Sequence, residues 1–249
     1  MGPKYIRREL SAVIEEAYRY FSVITVTGPR QSGKTTLIRN LFPHLPYYSL
    51  ENLDVRSFAE NDPVAFLNQH AEGMILDEVH NAPNLLSYIQ GMVDDDADRR
   101  FILSGSSQFA MLKRITQSLA GRTAVFELLP LSYSEIREIA SDTPLDHLLL
   151  DGFYPAIYSG RNVPKFLYPA YMKTYLDKDV RDLLQIKDMM QFHTFIRLCA
   201  GRIGSLFKAS ELANEIGISS HTITAWLSVL QASYIVALLP RISRIRAND

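Results

Sequence analysis

The chain alternates between short apolar or β-branched runs and stretches whose apolar residues recur every three or four positions. Over residues 5–20, Leu10, Val13, Ile14 and Ala17 share one helical face while Arg7, Arg8, Glu15 and Glu16 take the other, which predicts an amphipathic lead-in helix. Phe21-Ser-Val-Ile-Thr-Val26 reads as a buried strand that stops at Gly28-Pro29. Helical spacing returns over residues 35–41, and Asn61-Asp62-Pro63 is a helix start signal leading into Phe66 and Leu67. Further strands are predicted at residues 47–50, 73–77, 100–104 and 123–128, with helical periods over 85–93 and 109–119. Strands alternating with helices predict an α/β domain whose parallel sheet is covered on both faces.

Beyond Pro130 the strand signal fades. Residues 134–140 read as a short helix, and Asp151-Gly152 with Pro155 marks a turn. Over residues 168–184, Tyr171, Leu176, Val180 and Leu183 form a helical stripe, with Lys173, Asp177, Lys178, Arg181 and Asp182 facing water. Phe192, Phe195, Ile196, Cys199 and Ile203 form another, in which Cys199 is a small core residue. Three regions are expected: a core over 1–135, a helical connector over 136–187 and a terminal module over 188–249.

Composition narrows the function classes. Of 249 residues, 47% are hydrophobic and 21% charged, enough apolar material for a sizeable core. Lys and Arg (26) nearly balance Asp and Glu (27), so no global field draws the chain to nucleic acid or anionic lipid, and any polyanion contact must be local. One cysteine excludes an internal disulfide and a multi-cysteine metal site. No basic-then-apolar leader opens the sequence, and the apolar runs near 21–26 and 234–239 are too short to span a bilayer. The expectation is a soluble cytoplasmic protein without a membrane partner.

Gly28-Pro-Arg-Gln-Ser-Gly33-Lys34-Thr35 fits G-x-x-x-x-G-K-[ST] between a predicted strand and a predicted helix. Glycine at 28 and 33 permits backbone that a Cβ would obstruct, so successive N–H groups can face a phosphate at the positive end of the following helix. Gly28, Pro29, Arg30, Gln31, Ser32, Gly33, Lys34, Thr35 and Thr36 are the candidate binding residues for ATP. Lys34 would bring charge to the β and γ phosphates, and the Thr35 hydroxyl would ligate Mg²⁺. Arg30 reads equally as a phosphate or partner contact and as an exposed arginine. At Met74-Ile-Leu-Asp77-Glu78 a strand delivers two carboxylates to its C-terminal edge: Asp77 to hold Mg²⁺ through its water shell, Glu78 to orient and deprotonate an attacking water. Ser104 or Ser106, at the end of Phe101-Ile-Leu-Ser-Gly-Ser106, would lie near the γ-phosphate, although turn formation accounts for the same letters. Arg122 would complete a neighbouring subunit's site in trans, or else answer a helix dipole.

The ordered series Gly-Pro-Arg-Gln-Ser-Gly-Lys-Thr-Thr, Ile-Leu-Asp-Glu-Val-His, Phe-Ile-Leu-Ser-Gly-Ser-Ser and Ser-Leu-Ala-Gly-Arg resembles prokaryotic AAA-type ATPases of the branch with a C-terminal domain of unknown function. The resemblance extends over residues 5–240, through Asp151-Gly-Phe-Tyr-Pro155 and Tyr175-Leu-Asp-Lys-Asp179. It implies a P-loop NTPase sheet of strand order 5-1-4-3-2, bound ATP and Mg²⁺, and the roles just given to Lys34, Thr35, Asp77, Glu78 and Arg122. Chains of this branch usually continue past a winged helix into a nuclease-like fold; this one ends at Arg244-Ile-Arg-Ala-Asn-Asp249, so cleavage is not expected of it.

Near the end, Ser210-Glu-Leu-Ala-Asn-Glu-Ile-Gly217 followed by Ile218-Ser-Ser-His-Thr-Ile-Thr-Ala-Trp226-Leu227 reads as helix, glycine turn and capped helix. Ala213 allows a close crossing; Ile216, Ile218, Ile223, Leu227 and Trp226 would close a core, and a strand over 234–239 would make a winged variant. A DNA role would put His221, Thr222, Thr224 and Ser228 in the major groove. From residue 190 on, Arg197, Arg202, Lys208, Arg241, Arg244 and Arg246 face Glu211, Glu215 and Asp249, a formal +3 gathered at the tail instead of on the second helix. Any DNA contact is therefore expected to be weak, with a protein-contact or structural role as the alternative. His193 and His221 show no metal-ligand spacing. The functional expectation is Mg²⁺-dependent ATP hydrolysis that drives a conformational change in a partner. The alternative is a nucleotide-gated, DNA-associated module, and small-molecule kinase chemistry is disfavoured.

Overall fold

The computed structural model describes residues 5–105, 115, 117–174, 186 and 188–240. Two compact units divide the chain, Met1–Tyr168 and Pro169–Asp249. In the first, β1 (Val23–Thr27), β2 (Tyr47–Ser49), β3 (Gly73–Asp77), β4 (Arg100–Ser104) and β5 (Thr123–Glu127) form one sheet in the order β2-β3-β4-β1-β5. Every pairing is parallel, with Val23 opposite both Phe101 and Thr123, Tyr47 opposite Ile75, and Gly73 opposite Arg100. This is the expected order 5-1-4-3-2 read from the other edge.

A parallel sheet needs crossover helices, and those helices bury both of its faces. All of β1 and β3 is accordingly buried. Successive residues point to opposite faces. Val23, Met74, Leu76, Phe101 and Leu103 pack with Ala59, Phe66, Leu86 and Ile89 on one side. Ile24, Val26, Ile75 and Ile102 pack with Ile14, Leu37 and Ile38 on the other. The helices that supply these partners are α1 (Leu10–Ala17), α2 (Lys34–Leu41), α3 (Leu53–Asn61), α4 (Pro63–Leu67) and α5 (Leu85–Asp95). The spacing of apolar residues did not predict α3, which is set by its cap: Asn52 Oδ1 accepts from the N–H groups of Asp54 (2.9 Å) and Val55 (3.2 Å). Asp62 caps α4 in the same way, with Pro63 at the first helical position.

Beyond β5 the first unit continues with α6 (Tyr133–Ile139), α7 (Leu145–Asp151) and α8 (Pro155–Tyr158), followed by α9 (Pro164–Tyr171), which contains the division at Pro169. Ile136, Leu148, Phe153 and Tyr158, read from the sequence as connector, share a core with Ile6 and Leu131. The second unit contains α10 (Met189–Ala200), α11 (Ala209–Ile216) and α12 (Ser220–Ala232). Gly217, at φ +79°, ends α11 in the left-handed region, and Ser219 Oγ accepts from Thr222 N (3.0 Å) to begin α12. Their core closes around Trp226, whose ring meets Phe192 nearly edge-on at 5.2 Å.

Several expectations are corrected. Arg8 is buried rather than solvated, and Val13 is 51% exposed: α1 begins only at Leu10, so the helical period has no hold on residue 8. Ile203 is 87% exposed because α10 stops at Ala200. Residues 234–239 form no strand; Tyr234 takes φ +58°, and the N–H groups of Ile235 and Val236 return to Leu230 O. Ser106, most of the helix expected over 109–119, residues 175–185 of the helix expected over 168–184, and the basic tail with Arg241, Arg244 and Arg246 lie outside the described residues. Among the described residues no helix is long and apolar enough to cross a membrane.

At Gly73, φ is +106° and a Cβ would stand 1.7 Å from Arg100 O across the β3–β4 pairing. Gly73→Ala is expected to cost about 2–4 kcal/mol of stability, since both the left-handed backbone and the backbone contact resist relief. Urea unfolding of the parent and variant checks this, and a loss below about 0.5 kcal/mol would contradict it.

Candidate functional site

The carboxyl ends of β1, β3 and β4 bring Thr27, Asp77 and Ser104 to one edge of the sheet. The loop of residues 28–33 leaves β1 there and enters α2. Gly28 runs so close to the chain beyond β5 that a Cβ would lie 2.2 Å from Leu128 O. Gly33 caps α2 at φ +95°, and Gln31, without glycine's freedom, also sits at φ +63°. Such alternation turns a loop into an anion-binding concavity at a helix N-terminus. Ser32 is buried, while Arg30, Gln31 and Thr36 are exposed.

Lys34 begins α2 and is 6% exposed. Its Nζ donates to Gly28 O (3.1 Å) and Pro29 O (2.8 Å), closing the loop upon itself. Burial of the ammonium lowers its pKa; Glu78 and Asp77 counter this, and Arg30 adds to it. An entering phosphate would exchange two carbonyls for a formal anion, which favours the charged lysine.

Asp77 is the meeting point. Its Oδ2 accepts from Thr35 Oγ1 (2.7 Å) and from the Tyr47 hydroxyl (2.7 Å), while its Oδ1 accepts from Ser104 Oγ. The predicted Thr35–Asp77 pair is thus assembled, and of the two candidate serines Ser104 is the one seen to join it. A carboxylate beside a hydroxyl is a hard-oxygen pair suited to Mg²⁺, which takes few protein ligands and completes its shell with phosphate and water. Tyr47 was missed, because a tyrosine on a short strand carries no signal of its partner. Burial first, and then the bond to Asp77, pushes its hydroxyl pKa far up.

Immediately after Asp77, Glu78 adopts φ +54°, a conformation that costs a non-glycine residue roughly 1–2 kcal/mol. The turn separates the two carboxylates: Asp77 points to Thr35 and Ser104, while Glu78 Oε2 lies 3.1 Å from His80 Nδ1 in the short 3₁₀ turn Val79–Asn81. Arg122 is not brought to this group. It precedes β5, where its carbonyl accepts from Val23 N at 3.1 Å, on the edge opposite the phosphate loop. Five residues of strand separate the two edges, about 13 Å along β1. There its Nη2 donates to Asp94 Oδ2 (2.8 Å) and its Nη1 to Ala120 O (3.0 Å).

A second missed residue is Arg8. Its Nε donates to Glu135 Oε1 (3.0 Å), its Nη1 to Ser32 O (2.9 Å), and its Nη2 to Leu129 O (2.8 Å) and Pro130 O (3.1 Å). A Cβ on Gly33 would lie 3.9 Å from this guanidinium and 3.8 Å from the ring of Pro155. The turn bearing Pro155 is itself anchored: Tyr168 OH donates to Asp151 O (2.6 Å) and Tyr158 OH to Gly152 O (2.8 Å).

With its pKa held below the ordinary 10.5 by burial, Lys34 loses its charge at a lower pH than an exposed lysine. Between its folded-state pKa and 10.5 the unfolded chain binds more protons at this group than the folded one, so its contribution makes stability rise with pH in that window. Anion binding at the loop should weaken over the same window. A ¹³Cε NMR titration, with Lys34→Met to assign the signal, is expected to give Lys34 the earlier midpoint; a midpoint matching the exposed lysines would contradict the burial argument.

Residues 20–137 match the family model described as an AAA domain, and residues 142–249 match a domain of unknown function, DUF8612. Uncharacterized proteins of Mycobacterium bovis and Mycobacterium tuberculosis are each 30% identical over 242 residues, covering 94% of this chain and 53% of the relative. The chain therefore spans about half the length of these curated relatives. A Walker-type ATPase of Pyrococcus abyssi shares the fold at a TM-score of 0.56 and 14% identity, over 92% of this chain and 90% of that one. Residues 20–137 are thus an AAA domain with the P-loop NTPase fold, followed by a domain of unknown function.

Proposed function

We propose that this chain binds ATP with Mg²⁺ at the loop of residues 28–36 and hydrolyses it in the cytoplasm, driving a conformational change in a partner. The observation that carries the reading is the Thr35–Asp77 contact at 2.7 Å, with Ser104 on the same carboxylate and Glu78 beside it. Lys34 leaves the carbonyls of Gly28 and Pro29 to face the β and γ phosphates, Gly28 and Gly33 keep the backbone open to them, and Thr35 with Asp77 holds the ion. Bound Mg²⁺ would supply charge neutralisation on the phosphate oxygens. Glu78 accepts the proton of the attacking water as the bond to the leaving phosphate breaks, and the left-handed turn at Glu78 keeps that carboxylate apart from Asp77 beforehand. Ser104 senses the phosphate through Asp77.

Lys34→Ala is expected to weaken binding of a non-hydrolysable ATP analogue by at least about 100-fold, as a charge-assisted contact is lost. Glu78→Gln should bind like the parent and lose at least about 100-fold in turnover. Calorimetry and steady-state phosphate release measure the two effects; parent-like binding by Lys34→Ala would place the nucleotide elsewhere.

Arg122 faces away from its own phosphate loop and is held by Asp94, so it suits completion of a second copy's site. An arginine in this role contributes on the order of 10³-fold or more to phosphoryl transfer. Mixing inactive Arg122→Ala with inactive Lys34→Ala chains should restore activity, and the parent's rate per chain should rise with concentration. No recovery on mixing, with a concentration-independent parent rate, would leave Arg122 as the partner of Asp94 alone.

The second reading, a nucleotide-gated and DNA-associated module, draws on the α11–Gly217–α12 geometry and the exposed His221, Thr224 and Ser228 on α12. The Thr224 and Ser228 hydroxyls already donate to Ser220 O and Thr224 O on their own helix, leaving only acceptor capacity for a base. Running the turnover measurement with and without duplex DNA separates the readings.

A further inference from the structure

We infer that Arg8 is a positioning residue that sets the phosphate loop for its anion before any ligand arrives; this rests on the ATP reading above. Ser32 lies between two left-handed positions, Gln31 (φ +63°) and Gly33 (φ +95°). Within the loop, Lys34 holds Gly28 O and Pro29 O, and the Ser32 N–H donates to Pro29 O (3.4 Å), but none of these bonds reaches the Ser32 carbonyl. The hydroxyl of Ser32 is buried without a hydrogen-bond partner among the described residues, so its side chain does not anchor it either. What fixes the Ser32 carbonyl is Arg8 Nη1 at 2.9 Å.

In a trans peptide the carbonyl of residue 32 and the N–H of residue 33 point in opposite directions. Arg8 therefore turns the Gly33 N–H away from the guanidinium, and by polarising the carbonyl it makes that N–H a stronger donor. The rest of the fork supplies the leverage. Nη2 grips Leu129 O and Pro130 O, just past the point where Leu128 abuts Gly28, and Nε is locked on Glu135. The Glu135 carboxylate is itself held, accepting from Ser132 N (2.8 Å) in the α6 capping box and from Glu9 N (2.7 Å). Arg8 and Glu135 are 7% and 4% exposed, and a buried ion pair is seldom the most stabilising choice for its volume. Its value lies in geometry: a planar fork can hold four acceptors in fixed directions, whereas a lysine offers a point charge.

Arg8→Lys should therefore fold, by circular dichroism, yet bind a non-hydrolysable ATP analogue with Mg²⁺ about 10–100-fold more weakly in calorimetry, the range expected when a charged hydrogen-bonding group is lost. In the ligand-free ¹⁵N-glycine spectrum the Gly33 amide should move upfield while Gly73 and Gly152 stay in place. The control is Arg99→Lys. Arg99 is likewise buried and holds Leu67 O and His70 O, but it sits before β4 on the edge away from the loop, so its loss should lower stability and leave affinity as in the parent. Should Arg8→Lys fail to fold, Glu135→Gln, which keeps a residue suited to the capping box and removes the negative charge that Arg8 Nε faces, should show the same loss at about 3–10-fold. Parent-like affinity in a folded Arg8→Lys or Glu135→Gln chain, or an equal loss in Arg99→Lys, overturns the inference. A parent chain that binds no nucleotide overturns the ATP reading, and the role of Arg8 with it.

Discussion

One buried carboxylate ties the edge of the sheet together. Asp77 ends β3, and through three hydroxyls it holds the end of β4, the start of β2 and the first turn of α2. Carboxylates are acceptor-only when ionised, and a buried one is costly unless its lone pairs are met. Asp77 meets that cost with neighbours whose positions the parallel registers impose. The strand order then follows functionally as well as structurally: β4 lies between β3 and β1, so the hydroxyl that reaches Asp77 also stands beside the loop-bearing strand.

Around this point the domain buries cations as well. Lys34 and Arg8 both end on backbone carbonyls of the phosphate loop or of the segment against it. Where such a carbonyl is followed by a residue that has an N–H, as Pro29 O is by Arg30 and Ser32 O by Gly33, its engagement commits the peptide plane and with it the direction of that N–H. Arg8 is balanced by Glu135, whereas buried Lys34 at the N-terminus of α2 makes the loop a concavity that favours an anion. The strained turn at Glu78 belongs to the same economy of direction, since it sends the second carboxylate toward His80 instead of toward Asp77.

The second unit follows a different logic. Its core is a cluster of aromatic and aliphatic side chains around Trp226, with Gly217 and the Ser219 cap setting the turn between α11 and α12. Its exposed α12 face is polar and carries neither lysine nor arginine, which limits what backbone phosphate contact that helix alone can supply.

Much of this was legible in the sequence because it depends on local chemistry. A loop with glycine at 28 and 33 followed by Lys34 and Thr35 specifies its own backbone, and the apolar runs ending at Thr27, Asp77 and Ser104 specify strands that are buried on both faces. The left-handed Gly217 turn is local in the same sense. Where the sequence misled, the deciding partner was distant. Arg8 looked solvated because its four acceptors lie 24 to 127 residues away, and Tyr47 looked ordinary because Asp77 is 30 residues on. Ile203 fitted a helical stripe, yet the chain turned at Gly201 before reaching it. A strand at 234–239 needed a ladder partner that the fold does not offer among the described residues, so the apolar run alone could not make one. Periodicity and motif spacing thus determined the strands of the sheet and the glycine-bearing loop of residues 28–33; tertiary structure decided which charges are buried, because burial depends on partners that chain order does not reveal.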